Sequence, residues 1–341
     1  MTTLDPYRAV VALVIPVVAA LICAGLIVML RPLLQRYAMA RPNTRSSHVT
    51  PTPQGGGIAV IAATAIGAKL TGLLGAPYPD NAVPIVMAAA FCLAAVGMVD
   101  DLRSIPVVPR LALQLAAVTL LFVTLPSQMR ILETIPILLE RTLLILGLLW
   151  FINLVNFMDG LDWMTVAEML PMSIVLAALA FLGEAPSDIL PVALALAGAL
   201  LGFAPFNRPV ARLFLGDVGS LPIGLLTGWC LLELASRHHF AAALLLPLYY
   251  LADATITLLR RLVNGERFWD AHRSHFYQQA TDNGFSVRQV VTSVFLLNLL
   301  LAGLAVASIA FPSTGVDIAM LVLGASGVMA VLVRFSRPRI D

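Results

Sequence analysis

Four short polar segments interrupt an apolar sequence, and their side chains are carboxylates, amides and bases. These are Asp100 and Asp101 in GMVDDLR; Asn153, Asn156, Asp159 and Asp162 in NLVNFMDGLDWM; Asn207 and Asp217 in FNRPVARLFLGDVGS; and His272, Arg273 and His275 in DAHRSH. Neighbouring carboxylates repel one another unless a cation or a cationic ligand lies between them. Oxygen ligands suit Mg²⁺, which commonly binds one or two carboxylates plus substrate phosphates. Arginine and histidine bind phosphate oxygens. The set predicts a site for a magnesium-bound diphosphate.

Taken singly, each of these residues has a plainer interpretation. An aspartate at a helix end is commonly a cap, and Asp162 directly precedes a predicted helix. The glycines at 55–57 could serve only a tight turn. Asp253, in LADATITLL, falls inside a predicted membrane span, which makes it a functional or helix-packing candidate without an assigned partner. The four segments taken together favour one common site.

The elements that must position these side chains are membrane-spanning helices. Of the 341 residues, 60% are hydrophobic and 12% are charged, and the mean hydropathy is +0.92, unlike a soluble domain. We predict one all-α polytopic domain over residues 1–341, with about eleven spans or, alternatively, ten. The predicted spans are 9–31, 57–75, 82–99, 108–125, 137–155, 163–183, 187–204, 219–236, 240–262, 286–311 and 315–334.

The distribution of basic residues predicts the orientation of these spans. If the amino terminus lies outside, 16 of the 21 Lys and Arg residues fall in inner loops or in the carboxyl-terminal tail. The positive-inside rule therefore predicts an outer, periplasmic amino terminus and a cytosolic carboxyl terminus. The four polar segments lie on this same inner face. The formal net charge is only +2, and no nucleic-acid partner is predicted.

The ordered set of motifs resembles a known family. TPQGGG, GMVDDLR, NLVNFMDGLD, FNRPVARLFLGDVGSLPIG and HRSH are similar to motifs of the polyprenyl-phosphate N-acetylhexosamine-1-phosphate transferases, glycosyltransferase family 4. That family includes the translocase that starts peptidoglycan lipid synthesis. The resemblance implies transfer of a sugar-1-phosphate from a UDP-N-acetyl sugar to undecaprenyl phosphate, with release of UMP, in the bacterial inner membrane. It also implies Mg²⁺ as cofactor, with Mn²⁺ as a substitute, and a homodimer by analogy.

The resemblance also suggests roles for the acidic residues. Asp217 matches the metal-binding aspartate of the family, and Asp159 matches a second position near the ion and the diphosphate. Asp100 and Asp101 match its paired aspartates. With Asp159, they are the predicted catalytic residues. Whether one of the pair deprotonates the lipid phosphate, attacks covalently or shapes the metal site is left open.

Other positions match substrate contacts of the family. Phe214 and Asn207 match positions at the uracil and ribose end of the donor. Arg273, flanked by His272 and His275, matches a cytosolic loop that closes over the diphosphate. The predicted substrate-binding residues are Asn153, Asn156, Asn207, Phe214, His272, Arg273 and His275.

Three departures from the family pattern bear on specificity. HRSH stands where the peptidoglycan enzyme has three histidines, which favours the branch that starts O-antigen and other surface polysaccharides. Arg103 stands one residue before the lysine position of DDxxK, and Trp163 replaces the second glycine of DGxDG. The donor is therefore predicted only as an N-acetylhexosamine or a deoxy derivative. A peptidoglycan transferase remains the alternative within the family.

A secondary transporter is the alternative from a different class. Transporters also have ten to twelve spans with intramembrane acids, but their key polar groups gather near the bilayer midplane on broken helices. In this sequence most polar groups gather at one predicted surface, and only Asp253 fits the transporter pattern.

Overall fold

The computed structural model describes residues 6–40, 51–74, 82–124, 130–132, 134–267 and 272–339. Within these ranges the regular secondary structure is helical apart from a two-stranded antiparallel sheet, which confirms the predicted all-α polytopic fold. The helices are α1 Pro6–Tyr37, α2 Gly56–Leu73, α3 Ala82–Leu102, α4 Val107–Thr124, α5 Ile137–Met158, α6 Met164–Leu182, α7 Ile189–Phe203, α8 Asp217–Ala235, α9 Phe240–Leu245, α10 Leu248–Val263, α11 Phe276–Asp282, α12 Val287–Ala310 and α13 Thr314–Phe335. The strands are β1 Met39–Ala40 and β2 Thr52–Pro53.

The number of continuous spans is lower than the expected eleven. Among the described residues, 9 helices are long and apolar enough to cross a membrane, and the apolar α7 has only 15 residues. Nine or ten candidate spans therefore replace eleven, and the upper number agrees with the alternative expectation of ten. The difference lies in the predicted span 240–262, which is divided into α9 and α10 by a turn at Leu246 and Pro247. Proline lacks the backbone N–H and crowds the preceding turn, so a helix commonly ends there.

The ends of three helices meet at one end of the bundle, which we call the site end. A Cβ atom at Gly97, near the end of α3, would lie 2.2 Å from the carbonyl oxygen of Asp217, which begins α8. A Cβ atom at Gly57, in the first turn of α2, would lie 2.2 Å from the Cα atom of Gly219. Only glycine permits such close backbone contact, so α2, α3 and α8 are fixed relative to one another.

The glycine-rich segment after β2 does more than turn the chain. Gln54 forms a parallel bridge with Phe214. The N–H groups of Gly56 and Gly57 donate to the carbonyl oxygens of Phe214 and Leu215 at 2.9 and 2.8 Å. Gly55 has φ +105°, in the left-handed region that favours glycine. The start of α2 therefore lies directly against the segment that leads into α8.

The opposite end of the bundle contains a buried carboxylate with a structural role. Glu140, in the first turn of α5, is fully buried and accepts hydrogen bonds from the N–H groups of Ile131 and Leu132 at 2.6 and 2.8 Å. It also forms an ion pair with Arg130. These bonds hold the segment before α5 against that helix.

Candidate active site

Asp217 and Asp100 share one cation at the site end. Oδ1 of Asp217 accepts a hydrogen bond from Nδ2 of Asn156 at 2.8 Å. Nη1 of Arg110 lies 2.8 Å from Oδ2 of Asp100 and 3.6 Å from Oδ2 of Asp217. Arg110 therefore offsets part of the repulsion between two carboxylates.

Arg110 is one of the basic residues on the predicted inner face, but it is not among the predicted site residues. The short connection between α3 and α4 places the first turn of α4 beside the last turn of α3, so a basic residue there was the available signal. The exposed Arg103, which stands near the lysine position of the family motif, is not the residue that pairs with Asp100.

Asp101 has different partners from Asp100. Its Oδ1 and Oδ2 accept hydrogen bonds from the N–H groups of Asp217 and Val218 at 3.0 and 3.1 Å. These N–H groups belong to the first turn of α8, which has no partner for them within the helix, and the helix dipole favours an anion there. The last turn of α3 therefore caps α8 and fixes the backbone that carries Asp217.

Asp159 follows α5 directly and accepts a hydrogen bond from the Thr165 hydroxyl. Burial, and then the carboxylates of Asp101 and Asp162, raise the pKa of Asp159 to about 7, although the bond from Thr165 lowers it. A raised pKa means that the ionised form is disfavoured by its surroundings. The buried surroundings of Asp159, with two carboxylates nearby, therefore disfavour its negative charge, and a bound cation would offset that effect.

The donor set suits Mg²⁺ completed by substrate oxygens. Within the described residues, no group of three or more His, Cys, Asp or Glu side chains is arranged to hold a metal ion. Mg²⁺ commonly takes only one or two protein carboxylates and completes its shell with water and phosphate oxygens. Asp217 and Asp159 are mostly buried but still partly accessible carboxylates at the same end of the bundle, and they are the oxygen donors that such a site would use.

Two of the predicted asparagines are used in packing. Asn153 is 5% exposed, and its Nδ2 donates to Oε1 of Gln114 at 2.7 Å, between α5 and α4. Asn207 is 6% exposed, and its Oδ1 accepts from the Trp163 N–H while its Nδ2 donates to the Leu213 carbonyl. Of the three predicted asparagines, only Asn156 contacts the carboxylate cluster.

The expected helix cap at Asp162 is not found, and the expected uracil contact of Phe214 is not tested by the structure. Asp162 does not cap α6, because its Oδ2 accepts the N–H of Ala211 at 2.9 Å and so binds the loop before α8. Phe214 is half-buried, and its N–H donates to the Pro53 carbonyl at 2.8 Å. Its contact with uracil stays a prediction.

The described part of the histidine loop, residues 272–275, lies against the turn that carries Asp159. The ring centroids of His272 and His275 are 4.9 Å apart, and that of His275 lies 6.3 Å from Phe157. Arg273 does not reach the carboxylate cluster, since its Nη2 binds Oδ1 of Asp282 at 3.0 Å on α11. Its role at the diphosphate stays a prediction, because binding there requires release from this exposed partner.

Comparison with known proteins decides the family. A family model described as Glycosyl transferase family 4 matches residues 83–235, which include Asp100, Asp101, Asp159 and Asp217. A decaprenyl-phosphate N-acetylglucosaminephosphotransferase of Mycolicibacterium smegmatis is 30% identical over 295 residues, 76% of this chain and 72% of that protein. The chain belongs to glycosyl transferase family 4.

Further relatives in family 4 carry two different names. A protein of Bacillus subtilis named "Probable undecaprenyl-phosphate N-acetylglucosaminyl 1-phosphate transferase" is 24% identical over 301 residues, 83% of this chain and 82% of that protein. A phospho-N-acetylmuramoyl-pentapeptide-transferase of Mycolicibacterium smegmatis is 27% identical over 304 residues, 75% of this chain and 83% of that protein. The predicted family is confirmed, and family membership gives no support to the transporter alternative.

The structure explains one departure from the family 4 motifs. Trp163 stands where the motif has its second glycine, and its φ is +64°, in the left-handed region that a non-glycine residue seldom adopts. Its backbone N–H donates to Asn207, and its indole Nε1 donates to the Ala204 carbonyl at 2.6 Å. These bonds hold tryptophan in a conformation that glycine would adopt without strain.

Proposed function

We propose that this family 4 protein transfers N-acetylglucosamine-1-phosphate from UDP-N-acetylglucosamine to a polyprenyl phosphate. The products are a polyprenyl-diphosphate sugar and UMP. The observation that carries the proposal is the cluster of Asp100, Arg110, Asn156 and Asp217 at the glycine-packed start of α8. It combines the oxygen donors of a proposed magnesium site with a cation, in a family in which two of the matched relatives reported above are named for this transfer.

The proposed reaction exchanges one phosphorus–oxygen bond for another. An oxygen of the lipid phosphate attacks the β-phosphorus of the donor, and the bond between that phosphorus and the bridging oxygen breaks as UMP leaves with the electron pair. A phosphate monoester has a second pKa of about 6, so the lipid phosphate is largely ionised near neutral pH. The step therefore depends mainly on positioning and on offsetting negative charge.

The residues of the chain can supply both requirements. Asp101 fixes the start of α8 through two backbone N–H groups, and Asn156 orients the carboxylate of Asp217. Arg110 contributes a positive charge between Asp100 and Asp217. Asp217 and Asp159 are the proposed ligands of Mg²⁺, which when bound would neutralise phosphate charge and act as a Lewis acid.

The proposed location and pathway follow from the sequence. The site end contains Arg110, Arg260, Arg261 and Arg288, in agreement with a cytosolic face under the positive-inside rule. There a nucleotide sugar would arrive from the cytosol of a bacterium, and undecaprenyl phosphate from the inner membrane. HRSH in place of three histidines favours the first step of a surface polysaccharide such as O-antigen over peptidoglycan synthesis.

The test is UMP release by purified protein supplied with undecaprenyl phosphate or decaprenyl phosphate, Mg²⁺ and a panel of UDP-N-acetyl sugars. We expect release that requires lipid, is highest with UDP-N-acetylglucosamine and stops with EDTA. Mn²⁺ should restore activity after EDTA. No release with any donor, from protein that elutes as a single folded species, would overturn the proposed function. UMP release that persists in EDTA would overturn only the proposed dependence on a metal ion.

A further inference from the structure

Asp253 is a fully buried carboxylate in the middle of α10, and it accepts hydrogen bonds from two separate elements. The hydroxyls of Tyr249 and Thr257, on its own helix, lie 3.2 and 3.4 Å from its oxygens. The N–H groups of Phe276 and Tyr277 lie 3.0 and 3.1 Å away. A buried carboxylate is costly unless its oxygens are bonded, and here both are.

The bonds from Phe276 and Tyr277 attach α11 to α10. These two consecutive N–H groups are in the first turn of α11, where the helix itself provides no acceptor. α11 has only 7 residues, and isolated helices shorter than about 12 residues are marginal in water. Its position therefore depends on external contacts, of which Asp253 supplies two through main-chain hydrogen bonds.

α11 in turn holds the turn that carries Asp159. The hydroxyl of Tyr277 donates to the Phe157 carbonyl at 3.0 Å. A Cβ atom at Gly160 would lie 2.1 Å from the same hydroxyl oxygen, so the turn and α11 are in close contact. Asp253 and Asp159 are thus connected through Tyr277, whose N–H binds Asp253 and whose side-chain hydroxyl binds the carbonyl of Phe157, two residues before Asp159.

Asp253 also orients the histidine loop. Nδ1 of His275 lies 3.3 Å from Oδ1 of Asp253. This contact is a hydrogen bond when Nδ1 of His275 carries the proton and the carboxylate oxygen accepts it. The ring of His275 is held between this carboxylate and the ring of His272, whose centroid is 4.9 Å away.

We propose that Asp253 is a positioning residue for the reaction. It holds α11 and the described loop His272–His275 against the turn Phe157–Gly160, so that the loop and Asp159 present one surface to the diphosphate. The expected effect of Asp253 on kinetics rests on the proposed function, whereas its attachment of α11 to α10 does not. A role in helix packing alone is the competing explanation, and Glu140 provides a matched comparison.

Glu140 is matched to Asp253 in its chemistry and lies at the opposite end of the bundle. Both carboxylates are 0% exposed, and each accepts two consecutive backbone N–H groups. Asp253→Asn and Glu140→Gln therefore make the same change, in which an amide replaces one accepting oxygen by a donor. Of these two carboxylates, Asp253 is the one that contacts α11.

The experiment compares wild type, Asp253→Asn and Glu140→Gln in hydrogen–deuterium exchange and in steady-state kinetics. We expect amide exchange in 276–282 to be about tenfold faster in Asp253→Asn, because a lost cap weakens the first turn, and unchanged in Glu140→Gln. The apparent KM for the UDP-sugar should rise about tenfold in Asp253→Asn alone, even if thermal stability falls equally in both variants.

A double variant tests whether Asp253 acts through the loop. Asp253→Asn combined with His275→Gln should lower kcat/KM no more than about threefold below the poorer single variant, since both changes disturb one unit. Fully multiplicative losses would overturn action through His275. So would an unchanged donor KM in folded Asp253→Asn, or an equal rise of KM in Glu140→Gln.

Two further outcomes are distinguishable. If Asp253→Asn does not fold, Tyr277→Phe removes only the hydroxyl bonded to Phe157 and should raise the donor KM in the same direction; an unchanged KM would overturn the link to Asp159. If wild type transfers no sugar at all, the proposed function fails, while exchange still tests the positioning. Equal amide exchange in residues 276–282 of wild type and Asp253→Asn would overturn the positioning role of Asp253.

Discussion

At the scale of single residues, the carboxylates at the site end differ in their partners. Asp100 forms an ion pair with Arg110, and Asp101 accepts hydrogen bonds from backbone N–H groups of α8. Asp217 accepts a hydrogen bond from Asn156, and one of its oxygens lies 3.6 Å from the guanidinium of Arg110. A carboxylate that is bonded to backbone N–H groups, such as Asp101, is held in place. A carboxylate near a single cationic side chain, such as Asp217, can bind a different cation instead. Substitutions should therefore separate these residues functionally.

Asp217→Asn should abolish turnover without unfolding the protein. The amide keeps the shape of the side chain but removes the charge that would hold Mg²⁺, so UMP release should fall at least about 100-fold. Asp317→Asn is the matched control, because Asp317 is likewise in the first turn of a helix, α13, at the opposite end. Near wild-type activity of Asp217→Asn would remove Asp217 from the mechanism.

Arg110→Gln should make stability more dependent on Mg²⁺. Without the guanidinium, Asp100 and Asp217 repel each other, and we expect a loss of about 1–2 kcal/mol in EDTA. Added Mg²⁺ should then raise the melting temperature more than it does in wild type, because it replaces the lost cation. Arg103→Gln, at an exposed position in the connection between α3 and α4, is the control. An Mg²⁺ response equal to that of wild type would contradict the shared-cation interpretation.

Phe214→Ala tests the predicted contact with uracil. The backbone of Phe214 is held by Pro53 and Gly56, so removal of the ring should leave the site end in place. Loss of aromatic stacking on a base should raise the apparent KM of the donor about tenfold. The control is Phe311→Ala, an aromatic that is 67% exposed beyond α12. An unchanged KM would argue against stacking at Phe214.

At the scale of helices, glycine contacts set the distance between the elements that carry the site. α2 and α3 both touch the first turn of α8 through Gly57 and Gly97. A side chain at either position has no space, because the neighbouring atoms belong to backbone rather than to flexible side chains. The position of Asp217 relative to Asp100 therefore depends on two glycines, which have no side chain that could take part in the reaction.

Gly57→Ala should displace α8 from α2. The new methyl group would lie 2.2 Å from the Cα atom of Gly219, so a helix must move. Overpacking of this kind typically costs about 1–3 kcal/mol, and activity should fall with it. Gly303→Ala in α12 is the control, since nothing lies within 4 Å of its added Cβ atom. Thermal unfolding measures the loss of stability, and UMP release measures the loss of activity. Equal results for Gly57→Ala and Gly303→Ala would exclude a role of Gly57 in the packing of α2 against α8.

At the scale of the whole molecule, the chain repeatedly returns to the site end. The carboxyl ends of α3 and α5 and the amino ends of α2, α6 and α8 meet there. α10 and α11 are attached there through Tyr277 and Phe157. Helix ends rather than helix middles therefore build the site, as expected of an enzyme whose substrates meet at a membrane surface.

Reporter fusions should confirm the predicted orientation. A fluorescent protein fused to the carboxyl terminus should fluoresce, and alkaline phosphatase there should be inactive, because both results require a cytosolic terminus. The amino terminus should give the opposite results. Termini on the same side would contradict the predicted orientation, because they require an even number of membrane crossings.

Much of the fold was predictable because its signals are local. Long apolar runs give spans, since a helix must satisfy its backbone polar groups within itself in hydrocarbon. The candidate site was predictable as a set of segments, because carboxylates, amides and bases stand out in such a sequence. The division of 240–262 was missed, although Pro247 was its signal, because apolar composition alone does not distinguish one span from two shorter helices.

The sequence by itself determined the all-α membrane architecture, the family and the segments that form the candidate site. Only the tertiary structure decided which partner each side chain has: Asp101 with α8, Arg110 with Asp100, Asp253 with α11, and Asn207 with Trp163. The physical reason is that composition and motifs are properties of one segment of the chain, whereas each of these bonds joins two different helices or loops. Their geometry depends on how closely the glycine-lined helix ends pack.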